Sequence, residues 1–174
     1  MTTVRKRKQG SMASKRGTIV GSVPTGIEGF DEITGGGLPR GRVTVVLGGA
    51  GSGKTIFGMQ TLVSGARHHG EPGILVAFEE SVQQVFANCA GFDWNPTKLG
   101  HKQLGVLDAQ LSQSVVQGGD FDILGLLAML TAKAKTMSAK RVVLDGLDVL
   151  LANLEDPAHA RREVFRFREW LQDS

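Results

Sequence analysis

Val43-Thr-Val-Val-Leu47 runs directly into Gly48-Gly-Ala-Gly-Ser-Gly53-Lys54-Thr55. The first stretch is a continuous β-branched run, the pattern of a strand buried on both faces. The second matches G-x-x-x-x-G-K-[ST], the loop that wraps a phosphate chain. Such a chain is bulky and multiply anionic, so several N–H donors have to converge on it. Glycine lets the backbone wind so that successive amides point inward. Downstream, Ile56, Phe57, Met59, Leu62, Val63 and Ala66 fall at helical spacing over residues 54–68. That helix would bring its positive dipole end to the loop. The ammonium of Lys54 then reaches the β and γ phosphates, and the Thr55 hydroxyl ligates Mg²⁺. The expected nucleotide-binding stretch is therefore Gly48, Gly49, Ala50, Gly51, Ser52, Gly53, Lys54, Thr55 and Ile56. In a chain this rich in glycine, one chance match per roughly fifty such chains is expected. The flanking strand and helix, more than the glycines, give the motif its weight.

Working outward, Glu71-Pro72-Gly73 stops the helix and feeds a second buried strand, Ile74-Leu-Val-Ala-Phe78. Ser81 is a candidate N-cap for a helix to about Ala90, ended by Gly91. Asn95-Pro96 opens a turn, and Leu104-Gly-Val-Leu107 reads as a short third strand. Asp120 caps an apolar helix from Phe121 to about Met137, and Arg141-Val-Val-Leu-Asp145 is the next strand. Pro157 starts a last amphipathic helix reaching Leu171. Strands separated by helices of this length argue for βαβ units and a parallel sheet, hence an α/β fold with three layers. The sequence stops at Ser174 just after a helix, so the sheet is expected to lack its C-terminal strands.

Composition bounds the alternatives. With 41% hydrophobic and 21% charged residues the chain is globular in composition, and 174 residues suffice for one core. The 24 glycines, about twice the usual share, show no Gly-X-Y period, which excludes collagen. One cysteine, Cys89, excludes an internal disulfide framework and fits a reducing compartment. Its longest apolar stretch, Phe121 to Leu130, contains Asp122 and is too short for a membrane span. No apolar segment of signal-peptide type follows the early charges. A soluble, cytoplasmic protein with no membrane partner is expected. The net charge of +3 hides an asymmetry: Arg5, Lys6, Arg7, Lys8, Lys15 and Arg16 lie in the first seventeen residues. The remaining 14 basic side chains face 17 acidic ones, so the body carries −3. Residues 1–17 read as a disordered basic arm and 18–174 as the folded domain. The arm could touch nucleic acid or anionic lipid by counterion release, or could be a solvated terminus.

A phosphate loop needs a metal-directing carboxylate at the end of a neighbouring strand, and Asp145 ends 141–145 in the manner of a Walker B aspartate. The alternative is an ordinary strand-end cap. Asp148 lies beyond the strand end and takes a lesser role. Glu79 and Glu80 end the strand 74–78, where open α/β sheets bind their ligands. A carboxylate there can orient and polarise an attacking water, although two adjacent acids could equally favour a helix N-terminus.

Taken with these residues, Thr25-Gly-Ile-Glu-Gly-Phe-Asp31-Glu-Ile-Thr-Gly-Gly-Gly-Leu-Pro-Arg-Gly41 resembles the opening of RecA-like ATPases. More narrowly, the chain resembles the KaiC circadian-clock ATPase family. Glu71 to Glu80, Gly91-Phe-Asp-Trp94, Leu107-Asp-Ala109, Gly119-Asp-Phe-Asp122 and Arg161-Arg-Glu-Val-Phe-Arg166 continue the resemblance, which covers residues 23–172. It implies a three-layer RecA-like P-loop core binding ATP and Mg²⁺ between neighbours of a homo-oligomeric ring, a hexamer, with clock or signalling partners. It also implies that Glu79 and Glu80 are catalytic, and that Gly91 and Phe92 lie on the adenine side. Gly91 stands where the family carries serine, so a hydroxyl contact is lost there. Family members usually hold two such domains, with the autophosphorylated serine and threonine in the second. This chain resembles one copy, most like the first, so self-kinase activity does not carry over. The family domain also continues past Ser174 with strands and basic residues that reach a neighbour's nucleotide, which makes a truncated copy the expectation.

Smaller signals read as structural. Adjacent residues on a helix point about 100° apart, so His68 and His69 cannot easily share an ion. Cys89 has no partner in sequence for a catalytic thiol. Arg161, Arg162, Arg166 and Arg168, interleaved with Phe165, Phe167 and Trp170, suit an amphipathic surface helix, a subunit contact or a nucleic-acid face. Three functions follow: an ATPase attacking the γ-phosphate with water, a nucleotide-gated assembly module with little hydrolysis, and a RecA-like DNA-dependent ATPase. The acidic body places the last of these third.

Overall fold

The computed structural model describes residues 21–110, 123–152, 154 and 156–173. The basic arm, Asp120 as a cap and the stretch Gly119 to Asp122 lie outside the described residues. Elements in chain order are β1 (Ser22–Val23), α1 (Phe30–Ile33), β2 (Leu38–Pro39), α2 (Lys54–His68), β3 (Gly73–Ala77), α3 (Val82–Asn88), β4 (Leu104–Asp108), α4 (Ile123–Met137), β5 (Arg141–Asp145), α5 (Leu147–Ala152) and α6 (Pro157–Asp173). A 3₁₀ turn, Pro96–Lys98, precedes β4.

The sheet has the order β4-β3-β5 and is parallel throughout. Gly73 aligns with Leu104 and Arg141, and Ala77 with Asp108 and Asp145, so three strand ends share one level. The central strand shows why its sequence is continuously apolar: all five residues of β3 are buried. Side chains alternate across a strand. Leu75 and Ala77 meet Met59, Leu62 and Val63 of α2 and Val85 of α3. Ile74, Val76 and Phe78 face the opposite way, onto Leu126, Leu127 and Leu130 of α4, Leu150 of α5 and Phe167 of α6. Helices thus cover both faces in a three-layer α/β arrangement.

The small antiparallel pair β1–β2 and the helices α1 and α5 had no periodic signal, being only two to six residues long. Helix α3 ends at Asn88, before Ala90, and its C-cap Cys89 keeps right-handed backbone (φ −91°). No left-handed glycine cap at Gly91 is used. Its N-cap is as expected: the amide of Gln84 donates to Ser81 Oγ at 3.3 Å.

Residues 43–47 require a correction. The β-branched run pairs with no strand among the described residues. Val45 is 74% and Leu47 89% exposed, so this is no strand buried on both faces. β-branched composition supplies fit to a pleated, packed surface and not an intrinsic strand. Here the backbone N–H and C=O groups find no ladder partner, and the segment stays solvated.

Candidate functional site

The loop that follows keeps the geometry its glycines suggest. Gly51 (φ 74°) and Gly53 (φ 85°) both sit in the left-handed region, where a side chain is strained. Gly53 is the N-cap of α2, and no side chain caps that helix. Its first-turn amides are therefore left to water or to an anion. Residues 41–53 are exposed throughout. Lys54 Nζ folds over this loop, donating to the carbonyls of Gly48 at 2.7 Å and Gly49 at 3.0 Å. The ammonium is thus held at the loop, where an incoming anion would compete with those carbonyls for it. Ile56, half-buried, packs against the α2 side of the core.

Thr55, one residue further into α2, reaches across the structure to the end of β5. Its Oγ1 donates to Asp145 Oδ2 at 2.8 Å. Close packing of α2 over β5 makes this reach possible. Gly58 lies so near that a Cβ there would stand 2.8 Å from Val143 Cγ1. A hydroxyl and a carboxylate side by side are hard oxygen donors. They fit Mg²⁺, which takes one or two protein oxygens and fills its octahedron with water and phosphate oxygens. Among the described residues no group of three or more His, Cys, Asp or Glu could hold a metal by itself.

The acidic pair stands at the same level. The amide of Phe78 donates to Asp145 O at 3.0 Å, tying the end of β3 to β5. Gly146 (φ 74°) turns the chain away immediately after Asp145, and a Cβ on it would lie 2.9 Å from Glu79 Cβ. Only glycine lets these two backbones approach so closely. Glu79 is exposed, whereas Glu80 is half-buried, with its Oε2 accepting from Asn88 Nδ2 at 2.9 Å. The Thr55 and Asp145 side chains are brought together, and the Glu79 backbone lies against Gly146, the residue after Asp145; Asp148 stands apart, exposed in the first turn of α5.

The smaller candidates separate cleanly. His68 and His69 are exposed at the end of α2. Cys89 is fully buried, and burial, reinforced by the charge of Glu80, pushes its thiol up to about 11. Phe92 stacks on Trp94 with centroids 5.1 Å apart. On α6, Phe167 is core and Trp170 Nε1 donates to Thr131 Oγ1 at 2.8 Å, while Phe165 is 58% exposed. Two residues near the acid pair carried no sequence signal. Gln110 Nε2 donates to the Glu79 carbonyl at 2.8 Å, and Asn88 holds Glu80. A position directly after a strand or at a helix end is polar in most proteins, so neither stood out.

The family model described as "ATPase: KaiC" matches residues 23–174. The chain belongs to the KaiC family of ATPases. It is 42% identical over 151 residues to the circadian clock protein KaiC2 of Synechocystis sp., covering 86% of this chain and 27% of that protein. The circadian clock oscillator protein KaiC of Parasynechococcus marenigrum is 40% identical over 158 residues, covering 88% and 30%. That of Thermostichus vulcanus is 38% identical over 160 residues, covering 91% and 31%. The chain thus spans less than a third of the length of these relatives. KaiC membership is consistent with the phosphate loop and the three-layer parallel core. No helix among the described residues is long and apolar enough to cross a membrane.

Proposed function

We propose that this KaiC-type domain binds MgATP at Gly48 to Ile56 and hydrolyses it to ADP and inorganic phosphate. The observation that carries the reading is the 2.8 Å contact from Thr55 Oγ1 to Asp145 Oδ2, with Glu79 beside it across Gly146. The loop amides and the α2 dipole hold the phosphate chain, and Lys54 exchanges its loop carbonyls for the β and γ oxygens. Thr55 and Asp145 would hold Mg²⁺, which when bound neutralises charge on those oxygens. Glu79 or Glu80 accepts a hydrogen bond from a water and orients it in line with the γ-phosphorus. The water oxygen then bonds to phosphorus as the bond to the bridging oxygen breaks, the water's proton passes to the carboxylate, and ADP leaves.

The KaiC and KaiC2 relatives carry circadian-clock names, and we assign this chain the same kind of role, acting within a homo-oligomeric ring, a hexamer. The reading places it in the cytoplasm. Steady-state phosphate release tests the hydrolysis: the Glu79→Gln, Glu80→Gln double variant abolishes turnover while MgATP still binds, and Lys54→Ala loses binding. Unaffected turnover in the double variant refutes the acid-pair role.

A second reading is supported by residues 43–47, whose exposed valines and leucine lead straight into the loop. There the nucleotide gates assembly and little is hydrolysed. Mass measurement with and without MgATP decides: an unchanged monomer excludes it.

A further inference from the structure

Two side chains outside the phosphate loop hold the acid pair, one on its backbone and one on a carboxylate. From the β4 side, Gln110 Nε2 donates to the main-chain carbonyl of Glu79 at 2.8 Å. That carbonyl belongs to the peptide joining Glu79 to Glu80, so its orientation sets where both carboxylates point. Gln110 is itself fixed at its base, because its amide donates to Asp108 Oδ1 at 3.1 Å. From the α3 side, Asn88 Nδ2 donates to Glu80 Oε2 at 2.9 Å, and Asn88 Oδ1 accepts from Gln84 Nε2 at 2.9 Å. A carboxylate only accepts, so the relay has one polarity, Gln84 to Asn88 to Glu80. Gln84 and Asn88 are one helical turn apart on α3, whose start is capped by Ser81. The relay therefore rides on a defined helix.

The two acids are consequently unlike. Glu80 is drawn back onto α3 and its charge is partly satisfied by an amide. Glu79 stands exposed over Gly146, next to Asp145. We propose that Asn88 and Gln110 are positioning residues for the acid pair, Asn88 fixing the Glu80 carboxylate and Gln110 the Glu79–Glu80 peptide, so that Glu79 is presented to the water. The proposal rests on the hydrolytic reading above. The side-chain hydrogen bonds of Asn88 and Gln110 go to Gln84, Glu80 and the Glu79 carbonyl, and not to the phosphate loop, Thr55 or Asp145. Nucleotide affinity is therefore independent of both.

The test uses the full chain with MgATP, measuring phosphate release across pH, affinity for a fluorescent ATP analogue, and thermal melting. The variants are Asn88→Asp and Gln110→Glu, each of nearly unchanged shape but lacking the NH₂ donor, with Asn88→Ala and Gln110→Ala as second members. A displacement of order 1 Å at a reacting group costs up to about 100-fold. The expected result is a kcat lowered about 10-fold or more, with KM, analogue affinity and melting unchanged. If all four variants keep kcat and its pH profile while Glu79→Gln, Glu80→Gln abolishes turnover, the positioning proposal falls and the hydrolytic reading stands. A loss of kcat that merely tracks lowered melting or analogue affinity overturns the proposal too. If the wild-type chain shows no turnover dependent on the acid pair, both fall together.

Discussion

Removal of the Glu71 carboxylate should cost this fold about 3 kcal/mol, and the reason lies in Arg141. Arg141 starts β5 with its side chain only 5% exposed. Its Nη1 donates to the carbonyls of Pro24 at 2.6 Å and Thr61 at 2.8 Å. Its Nε and Nη2 both donate to Glu71 Oε2, at 2.8 and 2.6 Å. The second oxygen of Glu71 accepts from Arg40 Nη2 at 2.7 Å, but Arg40 is 48% exposed. Glu71→Ala leaves two guanidinium donors and their charge buried without an acceptor. Breaking such a pair costs about 3–5 kcal/mol, and the lower end applies because Glu71 retains 15% exposure. Arg40→Ala removes only a screened surface contact and should cost at most about 1 kcal/mol. Urea unfolding of both variants gives the comparison, valid if the denaturant slopes agree. The reasoning is refuted if Glu71→Ala costs no more than Arg40→Ala.

Other outcomes follow from the same packing. Burial raises the proton affinity of both Asp31 and Glu71, but their donors outweigh it: the Thr25 amide and hydroxyl with the Gly26 amide for Asp31, and Arg141 with Arg40 for Glu71. Both carboxyls sit below their ordinary values of 3.8 and 4.5. Their contribution is complete above those values and is lost as pH falls through the lower folded ones. Urea midpoints should therefore drop in acid, and Asp31→Asn with Glu71→Gln should flatten the drop; a midpoint rising in acid contradicts it. Truncating Leu130 of α4, fully buried in the cluster that helix forms with β3, α5 and α6, to Ala should cost about 2–5 kcal/mol, read by urea unfolding. A cost below about 1 kcal/mol would mean that the helical layer is not packed as described. Cys89, buried with its thiol raised to about 11, should resist iodoacetamide in the native protein at neutral pH and react once unfolded. Prompt native alkylation would show the thiol to be accessible.

Much of this architecture is local, and local features were legible. β3 reads as a five-residue apolar run because both its faces are covered. Helix α2 spans Lys54–His68 as its periodicity indicates, and β5 spans Arg141–Asp145. The phosphate loop is recognisable because its chemistry is carried by backbone conformation, which glycine spacing records directly. Residues 43–47 misled for the complementary reason: composition reports what a segment could pair with, not whether a partner edge is beside it.

By itself the sequence determined the starts of α2, α3 and α6, the strands β3, β4 and β5, the glycine-rich loop and the acids at strand ends. These depend on neighbours within a few residues, where propensity and sterics act. Only the tertiary structure decided that Thr55 meets Asp145, that Gly146 lets Glu79 stand beside them, and that Gln110 and Asn88 hold the acid pair. Except for Asn88 on Glu80, those contacts join residues 31 to 90 positions apart. A hydrogen bond is fixed to tenths of an ångström by strand register and helix packing, and no local pattern encodes that.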